Sequence, residues 1–347
     1  MDEQDFLDDN TSERLIDGMS NNNEEQIFES NLRPQTLHDF IGQQHIKEPL
    51  SISIEAAKKR EEPIEHVLLY GNPGLGKTTL AHIIAKEMGN TIKLSSGPTL
   101  ERVGDLAAIL SNLERGDVLF IDEIHRMNKT IEEILYSAME DYALDIIIGK
   151  GPAARTLRMP LEKFTLIGAT TKLNLLSSPL RDRFGHVYHL NFYEHEDIAT
   201  IIGHNATKLA IDIDSDASYN IATRARRTPR VANRLLKRVR DYAQVRYNGI
   251  IHNDIAHAAL DMLNVDKHGL DEIDRKILHT IIDTFNGGPV GLNTLAASIA
   301  EETDTLETIY EPYLLRLGML ERSARGRRAT IKAYEHIGKQ YPQDRLL

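Results

Sequence analysis

Residues 71–78 read Gly-Asn-Pro-Gly-Leu-Gly-Lys-Thr, the spacing G-x-x-x-x-G-K-[ST] of a loop that wraps phosphate oxygens. Its glycines let backbone N–H groups close on an anion, and a following helix would add its N-terminal dipole. In such a loop Lys77 reaches the β- and γ-phosphates of a nucleotide, and the Thr78 hydroxyl suits Mg²⁺. Further on, Val118-Leu-Phe-Ile ends in Asp122 and Glu123. There Asp122 would hold Mg²⁺ through water and Glu123 would orient and polarise an attacking water. A strand ending in acids is common by itself; its pairing with the phosphate loop gives it meaning. Three further candidates are weaker alone. Gly168-Ala-Thr-Thr171 closes a strand with a residue that either contacts the water or simply caps. Ser178-Pro-Leu-Arg-Asp-Arg183-Phe carries two arginines beside a strand end, and Thr228-Pro-Arg230 opens a helix. Isolated arginines usually sit in weak surface ion pairs.

Those residues need a frame to hold them. His66–Tyr70, Val118–Ile121 and Phe164–Gly168 are short apolar runs separated by helical stretches, Lys77–Met88 among them, which suits a parallel sheet covered on both faces. Beyond residue 194, Ile198, Ile201 and Ile202, then Val231, Leu235, Leu236 and Val239, follow the helical period. A third region predicts helices over Asp271–Phe285 and Leu306–Leu317, then two strands within Gly318–Ile331 around a basic tip. Helices with such a hairpin form a winged helix, a helix-turn-helix variant that reads DNA. From Arg322 to Lys332 the bases Arg322, Arg325, Arg327, Arg328 and Lys332 meet no acid, and strand alternation places Arg325 and Arg327 on one face. Residues 144–166 read as another hairpin. Its three consecutive isoleucines put at least one outward, so it either docks a partner or packs a core.

The 347 residues exceed one compact core, and 41% hydrophobic with 27% charged residues is ordinary for a soluble globular chain. With no cysteine, disulfides and Cys-ligated zinc are excluded, and the 14 histidines show no HExxH-type spacing for a transition metal. No apolar run is long enough to span a membrane and no leader is read, so a cytoplasmic protein is expected. The net charge of −11 argues against nucleic acid until its distribution is seen. Residues 1–30 hold ten acids and one base, which leaves the remainder close to neutral. That segment is expected to be a disordered acidic tail.

Asn31-Leu-Arg-Pro, Asp39-Phe-Ile-Gly-Gln43, GLGKTT, Ser96-Gly-Pro98, FIDEIHR, Glu140-Asp-Tyr142, GPAAR, FTLIGATT, SPLRDRFG, TPR, ALDMLNVD, GGPVGL and EPYL together resemble the RuvB family of AAA+ ATPases over about residues 31–336. The resemblance implies an α/β fold with four regions: the tail 1–30, a large AAA+ P-loop domain 31–190 with the hairpin 144–166, a small helical lid domain 191–263, and a winged-helix domain 264–347. It implies an ATP-dependent DNA motor for Holliday-junction branch migration in recombination, repair and the SOS response to DNA damage. ATP and Mg²⁺ would serve it, as a homohexamer on duplex DNA with RuvA and also RuvC, away from any membrane.

Carried over by motif, Leu32, Arg33, Ile41 and Tyr193 would line the adenine and ribose pocket. Gly74, Gly76, Lys77, Thr78 and Thr79 would take the phosphates, with Thr78 and Asp122 on magnesium. Glu140, Asp141 and Tyr142 form a second nucleotide-contact segment. Thr171 is implied as one sensor and Arg230 as the other, with Arg183 as a finger to the neighbouring subunit's γ-phosphate. Arg322 and Arg327 would meet DNA, and Ile146 and Ile148 would dock RuvA. Asn72, Ser323-Ala324 and Thr303 depart from the pattern, and no DNA contact is assigned to Thr303. Two other classes fit some of these features: a nucleotide switch that loads or remodels a DNA-bound complex, and a winged-helix regulator with a sensory ATPase.

Overall fold

The computed structural model describes residues 31–148 and 155–342, with only the backbone described for residues 146–148, 155 and 156. The acidic segment 1–30, the hairpin tip 149–154 and the side chains of Ile146 and Ile148 therefore lie outside the described structure. Two compact units are present: Asn31–Ile201 with Thr228–Arg230, and Ile202–Arg227 with the chain from Val231 onward.

The first unit is built on a five-stranded parallel sheet. Helix α1 (Gln44–Arg60) leads into β1 (Val67–Tyr70), the phosphate loop and α2 (Lys77–Met88). Then come β2 (Ile92–Ser96), α3 (Val103–Ser111), β3 (Val118–Asp122) and α4 (Lys129–Asp141). After β4 (Ala143–Ile148) and β5 (Arg155–Pro160) the chain returns through β6 (Thr165–Thr170), α5 (Ser178–Arg181) and β7 (His186–His189). The strand order is β2-β3-β6-β1-β7, and among the described residues β4 pairs only with β5, as an antiparallel hairpin.

All six residues of β6 are buried, as a strand covered on both faces must be. Edge strands β2 and β7 are half exposed and alternate with polar residues, so they carry no continuous apolar signal. The order puts β6 between β1 and β3. The turns after β1, β3 and β6 therefore lie side by side at the carboxyl edge of the sheet, where open α/β sheets bind ligands.

The second unit continues α6 (His195–Lys208) into α7 (Ser215–Arg224), α8 (Pro229–Arg246) and α9 (Asn253–Met262). In α8, Ala232, Leu235, Leu236, Val239 and Ala243 are buried at the spacing of one helical face. Then follow α10 (Glu272–His279), α11 (Leu292–Ile299), α12 (Glu311–Leu317), β8 (Leu320–Ser323), β9 (Gly326–Ala329) and α13 (Ile331–Ile337). Val290 bridges to Arg327 and adds a third, short strand to the wing. Two of the expected helices are interrupted: π-helical turns occupy Thr280–Thr284 and Leu306–Tyr310. No helix among the described residues is long and apolar enough to cross a membrane.

Candidate nucleotide site

The phosphate loop leaves β1 at Gly71, whose N–H donates to the Thr170 carbonyl at the end of β6. Lys77 is buried, and its Nζ donates to the carbonyls of Gly71 (2.8 Å) and Asn72 (3.0 Å), closing the loop on itself. Burial pushes the Lys77 ammonium down to about 8, while Asp122 and Glu123 act in the opposite direction. Thr78 and Thr79 stand half-buried in the first turn of α2. Gly74 adopts φ +78°, and a Cβ there would meet the Arg230 Cβ at 3.0 Å. The Arg230 N–H itself lies 3.4 Å from the Gly74 carbonyl. The Thr228–Arg230 corner is thus seated on the loop, and the charge of Arg230 is felt at Lys77 and Asp122.

At the end of β3, burial raises the Asp122 carboxyl above the usual range although Lys77 pulls it down. Glu123 takes a left-handed conformation (φ 45°, ψ 46°), costly for a residue with a Cβ. Its carbonyl leans on Gly97: a Cβ at that position would sit 2.3 Å from it, so only glycine lets the segment after β2 pass. The Glu123 Oε2 accepts from Thr171 Oγ1 at 3.1 Å and lies 3.1 Å from His125 Nδ1. Burial alone would raise this carboxyl; the His125 hydrogen bond, Lys77 and Thr171 hold it below the ordinary value instead. Lys77, Asp122, Glu123, Thr171 and Arg230 are therefore brought into one cluster.

The loop's other flank is apolar. A Cβ on Gly76 would meet the Phe40 ring at 3.3 Å and the Tyr193 Oη at 3.8 Å. Tyr193 is buried and donates to the Leu75 carbonyl at 3.1 Å. Gln43 pairs with the Asn191 backbone through both amide atoms, at 2.6 and 3.0 Å. Leu32 is buried and Ile41 half-buried; Arg33 lies near enough to α2 to depress His82 in addition to burial. Phe40, Gln43, Gly97 and His125 are structural members of this site to which the sequence reading gave no role. All four stand inside or beside motifs it used.

Glu140, Asp141, Tyr142 and Arg183 lie elsewhere. The Met139 carbonyl accepts from His66 Nε2 just before β1, and Tyr142 packs edge-on against Phe164 just before β6. Arg183 precedes β7, donates to Glu140 Oε2 (2.9 Å) and the Pro179 carbonyl (2.8 Å), and stacks 4.7 Å over the Tyr136 ring. Asp141 pairs with Arg158 at 2.7 Å. Arg183, Glu140, Met139 and Asp182 line a cleft of about 370 Å³. This is the amino edge of the sheet, a strand's length (roughly 13 Å for four residues) from the phosphate loop.

In the wing, β8 and β9 place Arg322 opposite Arg327. Arg322 is exposed, 3.1 Å from Glu307 and 3.6 Å from Glu311. Arg327 is buried and donates twice to Glu311 Oε2, at 3.1 and 2.8 Å. Arg325 falls in the two-residue turn, so it does not share a face with Arg327.

A parallel sheet of this order, with a phosphate loop after β1 and an Asp-Glu pair ending the strand two away, defines a P-loop ATPase of the AAA+ class. Three family models account for nearly all of the described chain: the Holliday junction DNA helicase RuvB P-loop domain over residues 32–190, the RuvB AAA lid domain over 193–266, and the RuvB C-terminal winged helix domain over 267–338. The chain belongs to the RuvB family. It is 58% identical over 333 residues to the Holliday junction branch migration complex subunit RuvB of Dehalococcoides mccartyi, covering 96% of this chain and 95% of that one. The same-named protein of Thermomicrobium roseum is 59% identical over 322 residues, covering 93% and 91%. The solved Thermotoga maritima RuvB Holliday junction branch migration motor matches with a TM-score of 0.82 and 52% identity, covering 90% of this chain and all of that one.

Proposed function

We propose that this chain is an ATP-driven motor for Holliday-junction branch migration, acting as a hexameric ring on duplex DNA with RuvA and in concert with RuvC in the cytoplasm. The observation that carries this reading is the separation of Arg183 and Glu140–Tyr142 from the phosphate loop by the length of the sheet. A loop at one edge and an arginine at the other complete each other between adjacent subunits, which couples hydrolysis to neighbours in a ring.

Within a subunit, Leu32, Arg33, Ile41 and Tyr193 hold the base and ribose. Gly74, Gly76, Lys77 and Thr79 hold the phosphates. Thr78 and Asp122 would hold Mg²⁺: a hydroxyl and a buried carboxylate that lacks full compensation are hard oxygen donors of the right kind. Among the described residues no three acids or histidines form a metal cage, which suits an ion that arrives with nucleotide phosphates and water. When bound, Mg²⁺ neutralises charge on the phosphate oxygens. Glu123 orients the water that attacks the γ-phosphorus as the bond to the leaving ADP breaks, and Thr171 fixes Glu123. Arg230 supports the phosphates in cis, and the neighbour's Arg183 meets the developing charge. The winged helix offers its exposed Arg322 to DNA, while Arg327 is taken up by the buried Glu311. The β4–β5 hairpin, with Ile146 and Ile148, docks RuvA.

A synthetic four-way junction supplied with RuvA and ATP tests the reading. Parent protein should separate the arms with sustained ATP turnover. Lys77→Ala should lose ATP affinity, whereas Glu123→Gln should bind ATP and stall. A single turnover per subunit with no arm separation would instead describe a nucleotide switch.

A further inference from the structure

The Glu123 carboxylate is gripped through one oxygen. Oε2 lies 3.1 Å from Thr171 Oγ1, 3.5 Å from Thr171 N and 3.1 Å from His125 Nδ1. The chain's own geometry brings the histidine there. Glu123 turns left-handed, Ile124–Arg126 forms one 3₁₀ turn, and the Arg126 N–H closes on the Glu123 carbonyl at 2.9 Å. Residue 125 is thereby folded back beneath residue 123, with its side chain only 9% exposed.

The tautomer follows from its neighbours. His125 Nδ1 also lies 2.9 Å from Thr170 Oγ1, which already accepts from the Lys172 N–H at 3.0 Å. A bare Nδ1 lone pair would oppose a carboxylate oxygen at 3.1 Å, acceptor against acceptor. A single proton on Nδ1 is then shared between the two acceptors, bonded to Thr170 Oγ1 and attracted to Glu123 Oε2, whether or not Nε2 also carries one. Thr170 Oγ1 has lone pairs for both the amide and the imidazole.

We propose that His125 is a positioning residue for ATP hydrolysis: its Nδ1–H and Thr171 together fix Oε2 of Glu123, so that Oε1 is presented to the attacking water. The inference rests on the reading of Glu123 as the residue that orients that water. His125 and Thr170 also join the ends of β3 and β6, so the carboxylate is referenced to two strands of the sheet.

The test is steady-state ATP hydrolysis by the full chain with RuvA and junction DNA, comparing parent with His125→Ala, His125→Asn and His125→Gln. The asparagine Nδ2 stands the same number of bonds from Cβ as imidazole Nδ1; the glutamine amide reaches one bond further. His125→Ala should lower kcat about 10- to 100-fold, a fraction of what a general base contributes, with KM for ATP little changed. His125→Asn should recover most of the rate and His125→Gln should not. In a Glu123→Gln background, His125→Ala should cost nothing further, because its effect passes through that carboxylate.

Parental or raised kcat in His125→Ala would overturn the proposal, as would equal defects in the Asn and Gln variants or an additive loss on Glu123→Gln. If the alanine variant does not fold, the Asn–Gln comparison decides alone. Parental turnover by Glu123→Gln would instead sink the underlying reading of Glu123.

Discussion

Arg183 and Glu140 are joined by a 2.9 Å hydrogen bond at the amino edge of the sheet, while Lys77 sits at the carboxyl edge. Among the described residues the buried Arg183 Nε has no partner, yet its terminal nitrogens are held toward a cleft shared with Glu140. Under the proposed function such a guanidinium would serve a nucleotide held by another copy of the chain. Arg183→Ala is expected to bind ATP normally and to hydrolyse it about 10³-fold more slowly or worse. Mixed with Lys77→Ala subunits it should regain activity, because one interface then combines an intact loop with an intact arginine. Subunits proven to exchange that stay inactive would place Arg183 in cis.

His66 ties that edge down, and it does so as a neutral ring. Its Nε2–H donates to the Met139 carbonyl (3.1 Å) while Nδ1 accepts from the Leu166 N–H (2.9 Å). Burial holds it below the ordinary value of 6.5, against a smaller opposing effect of the Met139 hydrogen bond. The unfolded chain therefore binds this proton more readily than the folded one. The contribution of His66 to stability is fully present above pH 6.5 and is lost as pH falls from there towards the folded value. Melting temperature measured from about pH 7.5 to 5 should fall more steeply in the parent than in His66→Gln. Parallel profiles would remove His66 as a source of acid sensitivity.

What could be read from the sequence follows what the physics leaves local. The phosphate loop and the Asp122-Glu123 pair were legible because backbone geometry around an anion dictates their spacing. Strands β1, β3 and β6 showed as unbroken apolar runs because they are covered on both faces. Strands β2 and β7 did not, since Ile-Lys-Leu-Ser-Ser and His-Val-Tyr-His are half-exposed edges. The grip of His125 on Glu123 is completed by Thr170 and Thr171 from β6, and chain order gave no hint of that meeting. The uniformly basic run of the wing hid its compensation, because Glu307 and Glu311 come from the preceding helical segment.

Arg226 and Asp274 form a buried pair at 2.6 Å that ties the turn between α7 and α8 to α10. Arg226 stands in a left-handed conformation (φ 52°), donates also to the Ile309 carbonyl, and lies 4.6 Å from the Tyr313 ring centre. Burial pushes the Asp274 carboxyl up to about 8 even with that guanidinium beside it. Above about pH 8, where that carboxyl is ionised, Asp274→Asn would leave a buried cation without a counter-charge, at a cost of about 3–5 kcal/mol. Replacing both, as Arg226→Met with Asp274→Leu, should cost less than the single change because no charge is then stranded. Denaturant unfolding followed in all three proteins decides it; a single variant as stable as the parent would show the pair to be dispensable.

The wing divides its two facing arginines between different tasks, and the division is measurable. Glu311 is almost fully buried in α12, and Arg327 answers it with two hydrogen bonds from inside the fold. Arg322, across the hairpin, is half exposed and shares Glu307 and the rim of Glu311. An exposed guanidinium in a weak surface pair can exchange its carboxylate for a DNA phosphate at little cost. A buried one cannot do so without stranding the acid it neutralises. Arg322→Ala should therefore flatten the salt dependence of DNA binding by about 0.9 in log K against log salt, the value for one phosphate, and equally on every DNA sequence. Its melting temperature should stay near that of the parent. Arg327→Ala should behave in the opposite way, losing about 3–5 kcal/mol of stability through the stranded Glu311. Glu311→Gln with Arg327→Met should restore much of that stability. A stable Arg327→Ala protein with a flattened salt slope would return Arg327 to the DNA path and Arg322 to the solvent.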